Sequence, residues 1–335
     1  MRLKPLHYFG GAFVVAKPFK TLDEQITLLA SRGIIIGDVD RAKSYLLSGN
    51  YYNIVNGYGR YFPKNGDVYT GNTTFDEITR LYLFDKELKQ LFFRAILAIE
   101  GHLKSIYAYR FAEAYPNSPY AYLYVSNYEH SKMLSAVDTI YRISKIINYH
   151  KKTPGNSIYH YTKNHNDVPV WVLISYLNFG EVRHMLNSSC ASIQNSVAKD
   201  MCEFIKQHQI KHSVFPLECM LNFLADINDI RNVCAHNGRL LDFKGKHDIK
   251  YWAPLHSKYN ITPQNTTRRT DVYNVFLTTQ CFLSKTEYGF LHNGIRKAMN
   301  SHLKKHITSL SVDTILNILG FPNNWNSTAK ISQKV

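Results

Sequence analysis

Residues 74–107 read TFDEITRLYLFDKELKQLFFRAILAIEGHLKSIY, and this stretch decides the fold class. Thr74-Phe75-Asp76-Glu77 has the Thr-x-x-Glu form in which a hydroxyl and a carboxylate cap each other's backbone N–H groups at a helix start. Leu81, Phe84, Leu88, Leu91, Ala95, Ile99, Leu103 and Ile106 then recur every three or four residues, with no proline among them. That is the period of one helix face, so the spacing predicts a long amphipathic helix. Pro116 and Pro119 mark its end.

Toward the N-terminus, Thr21-Leu22-Asp23-Glu24 repeats the capping pattern ahead of Ile26, Leu29 and Ala30, and Gly33 supplies the left-handed stop. Asp40 is placed to cap a second helix carrying Ala42, Tyr45 and Leu46. The tract from Asn50 to Phe62 holds one charge, Arg60, and reads as a buried aromatic cluster; the alternative is a stacking surface for bases.

Toward the C-terminus, a helix is expected from Ser131 to Tyr149, with Leu134, Val137, Ile140, Ile143 and Ile147 inward. An exposed loop follows over His150–Asn156. Pro169 suits the first turn of a helix bearing Trp171, Ile174, Leu177 and Phe179 and closed by Gly180. Pro216 opens another with Leu217, Met220, Leu221, Leu224, Ile227 and Ile230. Further helical patterns lie at Val275–Leu283 and Ile307–Leu319. Sustained period-2 alternation is missing, so the fold class is all-α, a helical bundle. Three regions are expected: 1–70, helical and rich in aromatics; 71–243, the bundle; and 244–335, a folded basic helical region.

Composition narrows the function. The 335 residues carry 40 Lys+Arg against 25 Asp+Glu, a net +15. Residues 244–335 contribute 13 Lys+Arg and 4 Asp+Glu, more than half of that excess in just over a quarter of the chain. A polyanion is therefore the expected partner, and 45 aromatic residues offer faces for stacking bases. The longest apolar uncharged run, Val168 to Gly180, is 13 residues, short of the roughly 20 that span a bilayer. No apolar signal-peptide core follows Met1–Pro5. Five cysteines (190, 202, 219, 234 and 281) form no C-x-x-C pair, which argues against a disulfide scaffold or a cysteine zinc site and for a reducing cytoplasm. The P-loop, dinucleotide and H-E-x-x-H patterns do not occur. No metal and no cofactor is expected.

The polar break in the Pro216 helix is the candidate site. Asp229-Ile230-Arg231-Asn232-Val233-Cys234-Ala235-His236-Asn237-Gly238-Arg239 interrupts the apolar face just where it ought to continue. Arg231 can hold a phosphate with a bidentate fork, and His236 can move a proton at neutral pH. The two lie about 140° apart around an ideal helix, so the long arginine stem is needed for both tips to reach one cleft. Arg/His pairs at this spacing also occur at Arg2/His7 and Arg296/His302, so spacing alone is a weak signal.

Arg231-Asn232-Val233-Cys234-Ala235-His236 resembles the Arg-Asn-x-x-x-His signature of HEPN ribonucleases. Its setting, running on to Asn237-Gly238-Arg239-Leu240, is similar to the AbiD/AbiF-type, or Abi-like, abortive-infection branch. Other stretches agree in order: Lys17-Pro18-Phe19, Asn50-Tyr51-Tyr52 with Gly57-Tyr58, Leu81-Tyr82-Leu83-Phe84-Asp85, Ala98-Ile99-Glu100, Pro169-Val170-Trp171 with Asn178-Phe179-Gly180, and Gly320-Phe321-Pro322 with Trp325. Asn53 and Ser175 depart from the branch, whose members often carry Arg and Glu there. The resemblance implies a HEPN-type bundle and metal-independent RNA cleavage in bacterial anti-phage defence, with toxin–antitoxin character. It implies a homodimer whose paired Arg-His sets face one another, and a small structured non-coding RNA as a partner. His236 is then the general base or acid, Arg231 the phosphate holder and Asn232 the orienting residue. Asn237 and Arg239 assist at the rim, and Glu100 is weighed as a contact of Arg231 against a solvent-facing carboxylate. RNA-binding positions are expected at Arg268, Arg269, Arg296, Lys297, Lys304 and Lys305. Arg296/His302, with Lys297 in place of Asn, reads as a solvated basic helix face. The alternative function is a non-catalytic RNA-binding module, since the scaffold also occurs without cleavage.

Overall fold

A computed structural model describes residues 18–211, 214–236, 238–264 and 269–332; Lys17 and the Arg2/His7 pair lie outside these. Contacts group the chain into two compact units, one up to Tyr82 and one from Leu83 onward. The basic residues from 244 onward share the second unit with the segment 83–243.

In the first unit, α1 (Leu22–Ser31) and α2 (Val39–Gly49) pack together. Thr21 and Glu24 form the expected capping box, the Thr21 N–H donating to Glu24 Oε2 at 2.7 Å and the Glu24 N–H to Thr21 Oγ1 at 3.3 Å. Gly33 adopts φ +81°, the left-handed region that favours glycine. The cap of α2 is Asp38, which accepts the Arg41 N–H at 2.9 Å; Asp40 lies inside the first turn, where its charge meets the positive helix end. Ile54, Val55, Tyr58 and Phe62 are buried, and Tyr58 meets Tyr82 edge-on at 5.5 Å. The aromatic tract is thus core, although Tyr52 is exposed. A two-residue hairpin, β1 (Lys64–Asn65) with β2 (Val68–Tyr69), holds the strands found among the described residues.

Helix α3 (Phe75–Ala114) is 40 residues long, about 60 Å at 1.5 Å per residue. Thr74 and Glu77 cap it reciprocally at 2.9 and 3.1 Å. Leu81, Phe84, Leu88, Ile99 and Leu103 are fully buried. Toward its middle and end Leu91 and Ile106 are only half-buried, while their neighbours Phe92 and Tyr107 are fully covered. A strict stripe drifts around so long a helix, because 3.6 residues per turn does not close on a whole number of residues.

In the second unit α4 (Met133–His150) packs on α7 (Phe179–Ser188). Its buried positions are Ala136, Thr139, Ile143 and Ile147, whereas Leu134 and Val137 face solvent. Small Ala136 and Thr139 bring the helices close, and that turns the larger pair outward. Between them lie α5 (Ser157–Asn164) and α6 (Val170–Leu173). The single helix expected from Pro169 to Gly180 is instead two. Asn178 starts α7 with a capping box to Glu181, at 2.7 and 3.0 Å, so Gly180 sits inside a first turn and ends nothing. Trp171 is exposed.

Next come α8 (Ala191–Gln207) and α9 (Leu217–Ala235), the latter packed against α7, α8 and α11 (Val272–Thr278). The remaining helices are α10 (Ala253–His256), α12 (Lys285–Ala298) and α13 (Val312–Leu319). Helix α12 runs on into a π-helical turn, Met299–Lys304. Phe276, Phe282, Phe321 and Trp325 are buried, with Phe321 and Trp325 centroids 4.7 Å apart. The basic region is packed into the second unit and shares its aromatic core, Phe282 and Trp252 both meeting Phe215, at 6.0 and 5.0 Å. The fold is all-α, and no helix among the described residues is long and apolar enough to cross a membrane.

Candidate functional site

Helix α9 begins after Pro216, whose missing N–H costs a helix start nothing. Met220, Phe223, Leu224, Ile227 and Ile230 bury its apolar face completely. The stripe stops at Arg231. Its guanidinium is half-buried, Nη1 makes a long 3.5 Å contact with Asn232 Oδ1, and Nε finds no acceptor among the described residues. His236 is the C-cap; its N–H donates to the Asn232 carbonyl at 3.0 Å, and the residue is exposed. Asn232 therefore touches both partners, one through its side chain and one through its backbone.

What fixes this helix end lies 150 residues earlier. The Gly238 N–H closes back on the Val233 carbonyl at 2.9 Å, a bond typical of helix C-termini. Lys89 Nζ of α3 donates to the Gly238 carbonyl at 2.9 Å. Asp85, fully buried one turn before Lys89, accepts the N–H groups of Leu240 and Leu241 through Oδ1 at 2.9 and 3.2 Å; its Oδ2 lies 3.5 Å from Lys89 Nζ. A buried carboxylate is tolerated only when hydrogen-bonded and paired, and Asp85 is both. Burial and the Asp85 charge push the Cys234 thiol up to about 12, which keeps it protonated at neutral pH and unfit as a nucleophile. Asp85 stood within a quoted stretch of the sequence, yet nothing local announced that it would clamp residues 238–241.

The other expected positions separate. Asn237 and Arg268 lie outside the described residues. Arg239 is ion-paired with Asp242 at 2.8 Å, one turn past the helix end. Arg269 is nearly buried, donating to the Ile249 carbonyl at 2.6 Å and to Asp248 at 3.0 Å, so it ties two loops together. Glu100 neither contacts Arg231 nor faces solvent; it pairs with Lys104 on its own helix at 2.7 Å. Arg296 and His302 form no solvated face either. Arg296 Nη1 donates to the Thr328 carbonyl at 3.3 Å, and His302 Nε2 meets Glu87 Oε2 at 2.7 Å. Arg296, Lys297 and Lys305 line one cleft with residues of α3, while Lys304 stays exposed outside its lining.

Sequence reasoning passed over Asp226. It is fully buried on α9, five residues before Arg231, and neither oxygen has a hydrogen-bond partner among the described residues. Burial first, then the charges of Asp229 and Asp248, raise its carboxyl to about 7, against the pull of Arg183. Arg183 of α7 is itself lowered by burial, and its Nε also lacks a partner. A carboxylate set between the apolar positions Leu224 and Ile227 was the only available signal. Among the described residues no three His, Cys, Asp or Glu side chains gather closely enough to hold a metal ion.

Fold and site together define the class: an all-α scaffold that presents an Arg-Asn-x-x-x-His helix end clamped from a distant helix. The family model described as Abi-like protein matches residues 44–242, more than half of the chain, and the chain belongs to that family. No curated protein and no solved structure matches it.

Proposed function

We propose that the chain is a metal-independent HEPN-type endoribonuclease of abortive-infection defence against phage. The observation that carries this reading is the end of α9, where a half-buried guanidinium with an unpartnered Nε stands beside Asn232 and an exposed imidazole caps the same turn. His236 takes the proton from a ribose 2′-hydroxyl, and the 2′-oxygen attacks the adjacent phosphorus. The 5′-oxygen leaves with a proton donated by the imidazolium of the second copy's His236, and the product ends in a 2′,3′-cyclic phosphate. Arg231 binds the non-bridging oxygens, whose charge grows in the transition state. Asn232 holds the arginine's Nη1 in place. In this reading a second copy sets its own Arg231 and His236 opposite the first, and a small structured RNA is bound in the cytoplasm as a guide or an antitoxin.

The test compares RNA cleavage and phage protection by the wild type with Arg231→Ala and His236→Ala. Both variants are expected to lose both activities and to stay folded, and EDTA is expected to leave wild-type cleavage unaffected. Normal cleavage by both variants overturns the assignment. A second reading, RNA binding without turnover, draws on the gathering of Arg296, Lys297 and Lys305 in one cleft. Salt-dependent binding with no cleavage product would favour it.

A further inference from the structure

Within the second unit, a cleft of about 1030 Å3 opens between α3 and the end of α12 with the turn beyond it. Its floor is apolar, made by Leu91, Ala95, Ala98 and Leu291. Gly294 leaves room for that floor: a Cβ there would stand 2.5 Å from Leu91 Cδ2, so a larger residue would displace the Leu91 side chain. The rim is cationic, with Arg94, Arg296, Lys297, Lys305 and Lys330 against Glu87 and Glu287. Both carboxylates are already engaged, Glu87 by His302 at 2.7 Å and Glu287 by the N–H and hydroxyl of Ser284 at 2.9 and 2.7 Å. Among the described residues, Arg94, Lys297, Lys305 and Lys330 have no carboxylate partner, and Arg296 Nε is buried without an acceptor. Phe290, 45% exposed, lines the same cleft with the Arg94 guanidinium 5.1 Å above its ring.

Cations crowded into one concavity repel each other, and an anion relieves that repulsion. A bare phosphate would leave the apolar floor and the Phe290 ring uncovered. An apolar ligand would strand the cations. Small-molecule sites run from about 300 to 1,000 Å3 and combine a mostly apolar lining with a few polar anchors. The chemistry that satisfies both halves is an aromatic base joined to phosphate.

We propose that this cleft binds a phosphorylated nucleoside, its phosphate against Arg296, Lys297 and Lys305 and its base against Phe290 and the apolar floor. The ligand is either a free nucleotide or one nucleotide of a single-stranded RNA. The inference goes beyond the cleavage reading and does not depend on it, because the cleft is built by α3 and α12 and not by α9.

The experiment measures binding of ATP, the RNA tetramer pApApApA and inorganic pyrophosphate to the full chain by calorimetry. The variants are Phe290→Ala, the pair Lys297→Ala with Lys305→Ala, and, as a control outside the cleft, the exposed Lys151→Ala. Phe290, Lys297 and Lys305 are exposed, so unchanged thermal melting is the check on folding. Loss of one base-stacking contact is expected to weaken ATP or tetramer binding about tenfold and to leave pyrophosphate unaffected. The lysine pair is expected to weaken every phosphate-bearing probe about tenfold or more. Lys151→Ala is expected to bind every probe as the wild type does. ATP binding with this dependence identifies a free nucleotide, and binding of the tetramer alone identifies RNA. Three results overturn the proposal: no probe binds, the cleft variants bind as the wild type does, or Lys151→Ala weakens binding as much as the lysine pair does.

Discussion

Helix α3 presents two working faces over the same turns, and they are built on opposite principles. One carries Asp85 and Lys89, both buried, which spend their charge on each other and on the backbone of residues 238–241. The other carries Glu87, Leu91, Arg94 and Ala98, which line an open cationic cleft. At about 100° per residue these stripes lie on opposite sides of the helix. The buried face neutralises its charges and so gains rigidity. The open face leaves its one cation, Arg94, without a carboxylate partner among the described residues, which is what the proposed phosphate site calls for. A carboxylate and a lysine one turn apart have different meanings according to whether water reaches them.

The sharpest way to break this comparison is at the site that the buried face supports. Arg231→Ala or His236→Ala is expected to cut RNA cleavage by about 10²–10⁴-fold, measured as initial rates on a labelled RNA. Melting temperatures are expected to hold, since His236 is exposed. Next is the clamp itself. Asp85→Ala leaves Lys89 buried and two backbone N–H groups unpaired, at a cost of about 3–5 kcal/mol in urea unfolding. Cleavage is expected to fall with it, because the segment after His236 loses its anchor. A stable and active Asp85→Ala protein would show that the clamp is dispensable.

Asp226 tests burial without pairing. Its carboxyl is raised to about 7 in the folded chain, against about 3.9 in an unfolded one. Between those values the folded state holds the proton more tightly, so stability falls as pH rises through this window and levels off above it. Asp226→Asn removes that penalty. The variant is expected to match the wild type near pH 4 and to exceed it by about 4 kcal/mol at pH 8, read from denaturant unfolding at each pH. An equal gap at both pH values would mean that Asp226 does not titrate in this window.

The smallest effect is expected at Glu100. Its partner is Lys104 on the same helix, so Glu100→Gln is expected to cost under about 1 kcal/mol and to leave cleavage unchanged. A large loss of cleavage would return Glu100 to the active site.

The elements show where sequence reasoning holds and where it stops. The caps at Thr21 and Thr74, the length of α3 and the start of α9 at Pro216 all rest on contacts within a few residues, and these were legible. The inward face of α4 and the break before α7 were not. There a packing partner or a neighbouring cap outweighed the local pattern, turning Leu134 outward and placing Gly180 inside a helix. The basic residues were counted correctly but sorted only by the fold. Arg269 serves as a loop tie, whereas Lys297 and Lys305 line a cleft that also needs Arg94, far away in the sequence.

By itself, the order of residues determined that this chain is helical, that it is basic, and that Arg231, Asn232 and His236 share one helix end, because period, charge and i to i+4 spacing are local properties. Only the tertiary structure decided that Asp85 holds that end from 155 residues away and that scattered cations meet over an apolar floor. Water's access to each charge, which sets whether it pairs or waits for a ligand, exists only once distant helices have packed.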